Sequence, residues 1–404
     1  MPRIFKFSKD FLWGVSTSAY QIEGGINNDW SRWELEVKSR KSKVESENAD
    51  FICGRACDSY NRYEEDLNLV KNLNCGAYRM GLEWSRLEPE PGKFNLAEIE
   101  HYRKVLLAFK DRGIKSAVTL WHWTNPLWLA KLGGWANPEV VRRFADYTKL
   151  VARELGGLID YWLTINEPMI YIVNGYITGK WPPNKKRLLA VWRVYNNLIK
   201  AHQASYKIIH EKFPKAPVGL TMLTNYFEPA HRWNPLEITF AKLANHYWND
   251  RFIKNLKNKF DFLGLDYYFH DRLVWHPPFI KNLNEKVTDM GWEIYPAGIY
   301  QVLKNYHKFK KPLYIMENGL ADAADKQRVK FIADHLKYVH QAIREGIDVK
   351  GYFHWSLMDN FEWALGFEPK FGLYAVDRKT LARAPRPSAR VYGEICKNNQ
   401  VRIE

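Results

Sequence analysis

Short apolar, β-branched or aromatic runs alternate along this chain with longer stretches in which apolar residues recur three and four positions apart. The short runs fit buried strands and the longer ones amphipathic helices. Strands are predicted over 11–16, 77–82, 116–120, 161–166, 217–221, 260–266, 312–316 and 349–355. Helices are predicted over 60–73, 96–111, 139–155 and 326–345. The first carries Tyr60, Tyr63, Leu67 and Val70 on one face; Gly113 stops the second, Pro138 opens the third and Gly346 ends the fourth. Eight strand-then-helix units suit an α/β fold, a (β/α)8 TIM barrel forming a single domain over 1–404. In such a barrel the chemistry sits at the carboxyl ends of the strands.

Those ends are polar or aromatic one after another. The first strand leads into Ser16-Thr17-Ser18-Ala19-Tyr20-Gln21, and the second carries Arg79. Trp121-His122-Trp123 follow the third, Asn166-Glu167-Pro168 end the fourth, and Asn225 follows the fifth. Asp266-Tyr267-Tyr268 end the sixth, Glu317-Asn318-Gly319 the seventh, and Trp355 the eighth, with Asp359-Asn360-Phe361-Glu362-Trp363 beyond it. Amides and carboxylates that exchange hydrogen bonds with hydroxyls, beside indoles that pack on C–H faces, make a sugar site. Glu167 and Glu317 facing each other across a barrel mouth are the pair that glycoside hydrolysis needs, one to protonate the leaving oxygen and one to attack or to activate water.

Composition narrows the classes. Of 404 residues, 46% are hydrophobic and 26% charged, which excludes a disordered chain. No apolar run is long enough to span a membrane. Aromatic residues make up 15%, with 17 Trp, and four of these, Trp121, Trp123, Trp355 and Trp363, fall at strand ends. The net charge of +15 raises polyanions and anionic membranes as partners. Zinc-finger spacing, RNP-type aromatic runs and a P-loop are all missing, so nucleic acid is not expected. The basic runs 38–43 and 185–187 permit weak membrane-surface association without requiring it. Cys53, Cys57, Cys75 and Cys396 are too few for a disulfide scaffold and lack histidines at zinc-site spacing, so reduced thiols are expected. His210-Glu211 begins like a zinc-protease motif, but position 214 is Pro. No metal and no cofactor are expected. The first ten residues lack the apolar region of a secretory signal, so a cytoplasmic protein is expected.

Five segments in order carry a resemblance. They are Trp13-Gly14-Val15-Ser16-Thr17-Ser18-Ala19-Tyr20-Gln21-Ile22-Glu23-Gly24, Tyr78-Arg79 with Trp84-Ser85-Arg86, Asn166-Glu167-Pro168, Glu317-Asn318-Gly319, and the run from Trp355 through Trp363. Over nearly its whole length the chain resembles glycoside hydrolase family 1, the retaining β-glycosidases, and especially its shorter archaeal members. The resemblance implies that Glu317 is the nucleophile, with Arg79 and the Tyr268 hydroxyl supporting its carboxylate, and that Glu167 is the acid/base. It implies a glycone-binding set of Gln21, His122, Trp123, Asn166, Glu362 and Trp363, with Trp355 as a stacking floor and Asn225 as a weaker candidate. The substrate implied is a small-molecule β-glycoside or oligosaccharide, a β-glucoside with galactoside or fucoside as further glycones, hydrolysed through a covalent glycosyl-enzyme, with transglycosylation open. The Glu362-Trp363 pair argues for unphosphorylated sugars. Oligomeric state is left open.

The chain also departs from the family pattern. Met316 stands where Thr is usual, Asp266 where Asn is usual, Gly81 for Ser and Asn61 for His. Asp266 adds a negative charge near the site, expected to lower activity or shift its pH dependence. The loops around Trp181-Pro182-Pro183 and before Met290-Gly291-Trp292 look trimmed, which predicts a wider or more apolar leaving-group side.

Overall fold

All eight predicted strands exist, and they close on themselves. The computed structural model describes residues 3–41 and 51–403. Its strands are β1 (Arg3–Lys6), β2 (Leu12–Ser16), β3 (Ala77–Gly81), β4 (Lys115–Thr119), β5 (Tyr161–Asn166), β6 (Val218–Pro229), β7 (Leu263–Leu273), β8 (Leu313–Asn318), β9 (Val349–Trp355), β10 (Tyr374–Val376), β11 (Arg383–Pro385) and β12 (Gln400–Ile403). β2 to β9 pair parallel in sequence order, and β9 returns to β2 to complete the barrel. β1 and β12 pair antiparallel, as do β10 and β11.

The predicted helices appear as Ser59–Asn72, Leu96–Asp111, Glu139–Glu154 and Arg328–Arg344. Asn95 caps Leu96–Asp111, its side-chain oxygen accepting from the amides of Ala97 and Glu98. The long helix Leu188–Lys212 and the helices Pro235–Asn245, Ala297–Tyr306 and Pro387–Asn398 were not predicted.

Alternation sorts the core. Along β8, Leu313 and Ile315 pack outward against helices, while Tyr314 and Met316 join Ala77, Ala117, Leu163, Phe262 and Phe353 in a separate cluster filling the barrel. Strict period two would send Glu317 outward with Ile315. It does not, because β8 carries one extra residue there: Leu265 aligns with Ile315, but Asp266 aligns with Glu317. The bulge at Met316 turns Glu317 back to the barrel axis. β5 gains a residue between Leu163 and Asn166, and β7 gains one where Thr224 aligns with Tyr267 and Asn225 with Phe269.

β6 and β7 run well past the predicted 221 and 266, and pair with each other to Pro229 and Leu273. Buried His270 on this extension lies between Glu228 at 3.1 Å and Glu293 at 2.6 Å, with its ring against Tyr295. Among the described residues no helix is long and apolar enough to cross a membrane. Positions 42 and 43 of the basic run 38–43 lie outside the described residues. All four cysteines are buried and unpaired, with the Cys75 and Cys396 sulfurs 3.8 Å apart.

Candidate active site

At the carboxyl end of the barrel a cavity of about 290 Å³ opens, close to the size of a small-molecule site. Gln21, His122, Trp123, Glu167, Tyr268, Glu317, Trp355, Glu362 and Trp363 all line it, and all nine were predicted from the sequence. Arg79 and Asn166, fully buried, sit beneath it.

Glu317 is held from two sides. The Arg79 Nη1 donates to its Oε1, and the Tyr268 hydroxyl donates to Oε2 at 2.9 Å. Arg79 is itself fixed: its Nη2 donates to Asn166 Oδ1 and its Nε to the Thr119 hydroxyl at 3.2 Å. Asn166 Oδ1 also accepts from Thr221 at 2.5 Å, leaving its Nδ2 to meet His122 Nε2 at 3.0 Å. That contact makes Nε2 the acceptor and places the ring hydrogen on Nδ1. Burial, with the Arg79 charge, keeps the His122 pKa well below the usual imidazole value. Among the described residues its Nδ1 has no partner, and it belongs to a ring that lines the cavity.

Glu167 follows β5 directly and stands at the position before the helix Pro168–Ile172, with φ at 39° and no capping bond from its side chain. Trp123 (φ 70°) and Trp363 (φ 50°) also adopt the left-handed region that side chains avoid. Three such residues in one cavity are local strain held by the surrounding packing.

The two carboxyls differ in surroundings. Burial first, then the charges of Asp266 and Glu317, drive the Glu167 pKa well above the carboxylate range. Burial on balance raises Glu317 too, with Arg79 and Tyr268 acting against it. Carboxyls pushed apart in this way divide into an acid and an anion. Burial and the Glu317 charge bring Glu362 up to about 8, against the pull of the Gln21 side-chain amide, which donates to it at 3.3 Å.

The rings of Trp123, Trp181 and Trp363 form one wall, with centroids 4.7 Å apart for Trp123–Trp181 and 4.8 Å for Trp123–Trp363. The Trp123 Nε1 is spent on the Asn166 backbone oxygen, so its ring rather than its N–H faces the cavity. A second stretch of the lining is apolar: Phe269 and Trp292, 4.5 Å apart, with Met290, Leu223 and Phe371. The bulge in β7 lets consecutive Tyr268 and Phe269 share this cavity.

Two expectations need correction. Asn225 does not line the cavity; its Nδ2 donates to Asp271 at 3.0 Å, and its backbone N–H is bound by Asn249. Trp121 lies behind the site, its Nε1 donating to Asn125 and its ring packed on Trp135 and Tyr171. Sequence reasoning did not place Thr221, Trp181, Trp292 or Phe371 at the site. Trp181 and Trp292 stood in the two loops marked as trimmed, which was the available signal.

Asp266 completes the centre. Its carboxylate, with those of Glu167 and Glu317, forms a group whose oxygens lie within 4.8 Å of one another. Three carboxyls at such spacing also suit a divalent cation, but one is already bonded to a guanidinium, which repels a metal ion.

A family model for glycosyl hydrolase family 1 matches residues 4–256 and 247–401. A 1,4-beta-D-glucan glucohydrolase from Thermotoga neapolitana is 32% identical, over 98% of this chain and 99% of that one. A beta-galactosidase from Pyrococcus woesei is 30% identical over 98% of both, in an alignment of 501 positions against a chain of 404 residues, which places insertions in the relative. A solved beta-glycosidase from Pyrococcus horikoshii superposes with a TM-score of 0.90 at 38% identity, over 99% of this chain and 96% of that one.

Proposed function

The chain belongs to glycosyl hydrolase family 1 and is a glycoside hydrolase, and from that premise we propose that it is a retaining, exo-acting β-glycosidase working as one catalytic domain. The observation that carries the reading is the placing of Glu167 and Glu317 in one buried cavity with carboxylate oxygens within 4.8 Å. Retaining enzymes hold their carboxyls ~5 to 5.5 Å apart, and inverting ones ~6.5 to 9.5 Å to admit water between them.

In the first step Glu317 attacks the anomeric carbon while Glu167 gives its proton to the glycosidic oxygen. The bond from that oxygen to the anomeric carbon breaks and the aglycone leaves as an alcohol. In the second step water attacks the same carbon, Glu167 takes a proton from it, and the ester to Glu317 opens. Arg79 and Tyr268 keep the nucleophile ionised and aimed. Gln21, His122, Asn166 and Glu362 bind glycone hydroxyls, and Trp355 and Trp363 supply ring faces. A terminal β-glucoside is the first substrate, with galactoside and fucoside as further glycones. The apolar wall of Phe269, Met290 and Trp292 favours an alkyl or aryl leaving group and lets an apolar alcohol replace water, giving transglycosylation. The four unpaired thiols support a reducing, cytoplasmic compartment.

Turnover of a panel of nitrophenyl β-glycosides by wild type and Glu317→Gly tests the reading. Wild type is expected to turn over the glucoside and the variant to lose activity. A wild type inactive on the whole panel, or a fully active variant, overturns it. The product anomer, read early by NMR, tests retention. A strict preference for cellobiose over alkyl glucosides overturns the apolar leaving-group side.

Weak membrane-surface association has its own observation. Leu188, Leu189 and Trp192 are largely exposed directly after the basic run 185–187. Sedimentation with anionic vesicles at low salt, lost at high salt, is the expected result; no sedimentation at low salt excludes it.

A further inference from the structure

The mechanism above gives Asp266 nothing to do, yet it is a third carboxyl of the reacting centre. It is fully buried, and among the described residues no donor within strict hydrogen-bond geometry reaches its carboxylate oxygens or Glu167 Oε1; the Glu167 carboxyl and the Thr221 hydroxyl are its polar neighbours. The groups facing it come from every side of the barrel: Arg79 on β3, Glu167 after β5, the Thr221 hydroxyl on β6, Tyr268 on its own strand, Glu317 on β8, and Tyr306 from the helix Ala297–Tyr306. Only Arg79 among them is a cation, and each of its three nitrogens donates elsewhere, to Glu317, Asn166 and Thr119.

One guanidinium therefore serves three carboxyls. With Glu317 ionised against Arg79, ionising both of the others would leave two adjacent uncompensated anions inside the protein. Burial and mutual repulsion both oppose that state.

We propose that Asp266 is a positioning residue that shares one proton with Glu167, so that the acid of this enzyme is a carboxyl pair. The proposal rests on the reading of Glu167 as acid/base. In the first step the shared proton leaves with the aglycone oxygen as its bond to the anomeric carbon breaks and the ester to Glu317 forms. The pair is then fully ionised, but the Glu317 charge has vanished into the ester, and the Arg79 charge is free to balance Asp266. In the second step the water oxygen bonds to the anomeric carbon, its proton returns to the pair, and Glu317 departs as a carboxylate. Net charge is the same before and after each step. Burial and the Glu317 charge raise Asp266, and the Asp266 charge raises Glu167, in the direction a shared proton requires.

The test is the pH profile of kcat/KM for wild type and Asp266→Asn. Removing the neighbouring charge is expected to move the alkaline limb about one pH unit toward acid, because Glu167 then loses its proton more easily. A limb that stays in place overturns the proposal. Infrared titration of the protonated carboxyl C=O band gives a second reading that needs neither turnover nor that variant. In Glu167→Gln the band is expected to disappear at lower pH than in wild type, and an unchanged titration overturns the pair. Wild type inactive on every glycoside would sink the functional reading while leaving the infrared result readable. Active enzyme with unmoved limb and band sinks the pair alone.

Discussion

The Arg79 guanidinium crosses the barrel from β3 to bond Glu317 on β8, and it is the one cation among the groups that shift Glu317. A lysine in its place keeps the charge but not the planar fork that holds Glu317 and Asn166 at once.

For Arg79→Lys, kcat/KM is expected to fall about 10²-fold or more, as for loss of a fixed electrostatic contact at a reacting group. Steady-state kinetics on a nitrophenyl β-glucoside check this, and a loss confined to KM would mean that Arg79 acts only on binding.

Tyr268→Phe removes the hydroxyl that donates to Glu317 Oε2. That bond favours the ionised carboxyl, so its loss raises the Glu317 pKa. In the proposed mechanism Glu317 works ionised, hence the acid limb of kcat/KM is expected to move to higher pH. The alkaline limb, set by Glu167, should move little.

Gly319→Ala places a Cβ 1.8 Å from the backbone oxygen of Trp355, a contact that no side-chain rotation relieves. Overpacking of this kind costs ~1 to 3 kcal/mol and displaces both Glu317 and Trp355. A lowered thermal midpoint with severe loss of activity is expected. Gly157→Ala, where the Cβ meets nothing within 4 Å, is the control and should stay within ~0.5 kcal/mol of wild type.

Glu34 is a buried carboxyl away from the cavity, pushed up to about 7 by burial despite accepting from the Tyr20 hydroxyl and the Cys53 amide. A carboxyl raised on folding binds its proton more tightly in the folded state. Its contribution is full below the unfolded pKa near 4.5 and is lost as pH rises through about 7. Denaturation of wild type and Glu34→Gln from pH 5 to 8 should show the wild type losing ground by up to about 3 kcal/mol. Parallel curves would place the group outside the linkage.

Much of this was legible beforehand because parallel strands buried on both faces are written as unbroken apolar runs. β5 and β9 match their predicted limits, and the carboxylates follow the runs that place them. What escaped depends on pairing. The outer halves of β6 and β7 mix polar with apolar residues, as in Tyr226-Phe227-Glu228, and are strands because each supplies the other's hydrogen bonds. Asn225 was misplaced because its partners, Asp271 and Asn249, are set by strand pairing and a distant helix and cannot be read from its own neighbours in the chain. Asp266 was visible as a departure from the family pattern, but its closeness to Glu167 comes only from closing the barrel. Trp181 and Trp292 are carried by loops, whose path no periodicity encodes.

The extra residue at Met316 also bears on how this chain tolerates changes of length. The same residues paired without the bulge would send Glu317 from the axis toward the helices, with composition and hydrophobicity unchanged. By contrast, the relative from Pyrococcus woesei differs from this chain by many inserted positions while matching it over 98% of both. The pairing register of β8, more than the length of the chain, therefore decides where this carboxyl points.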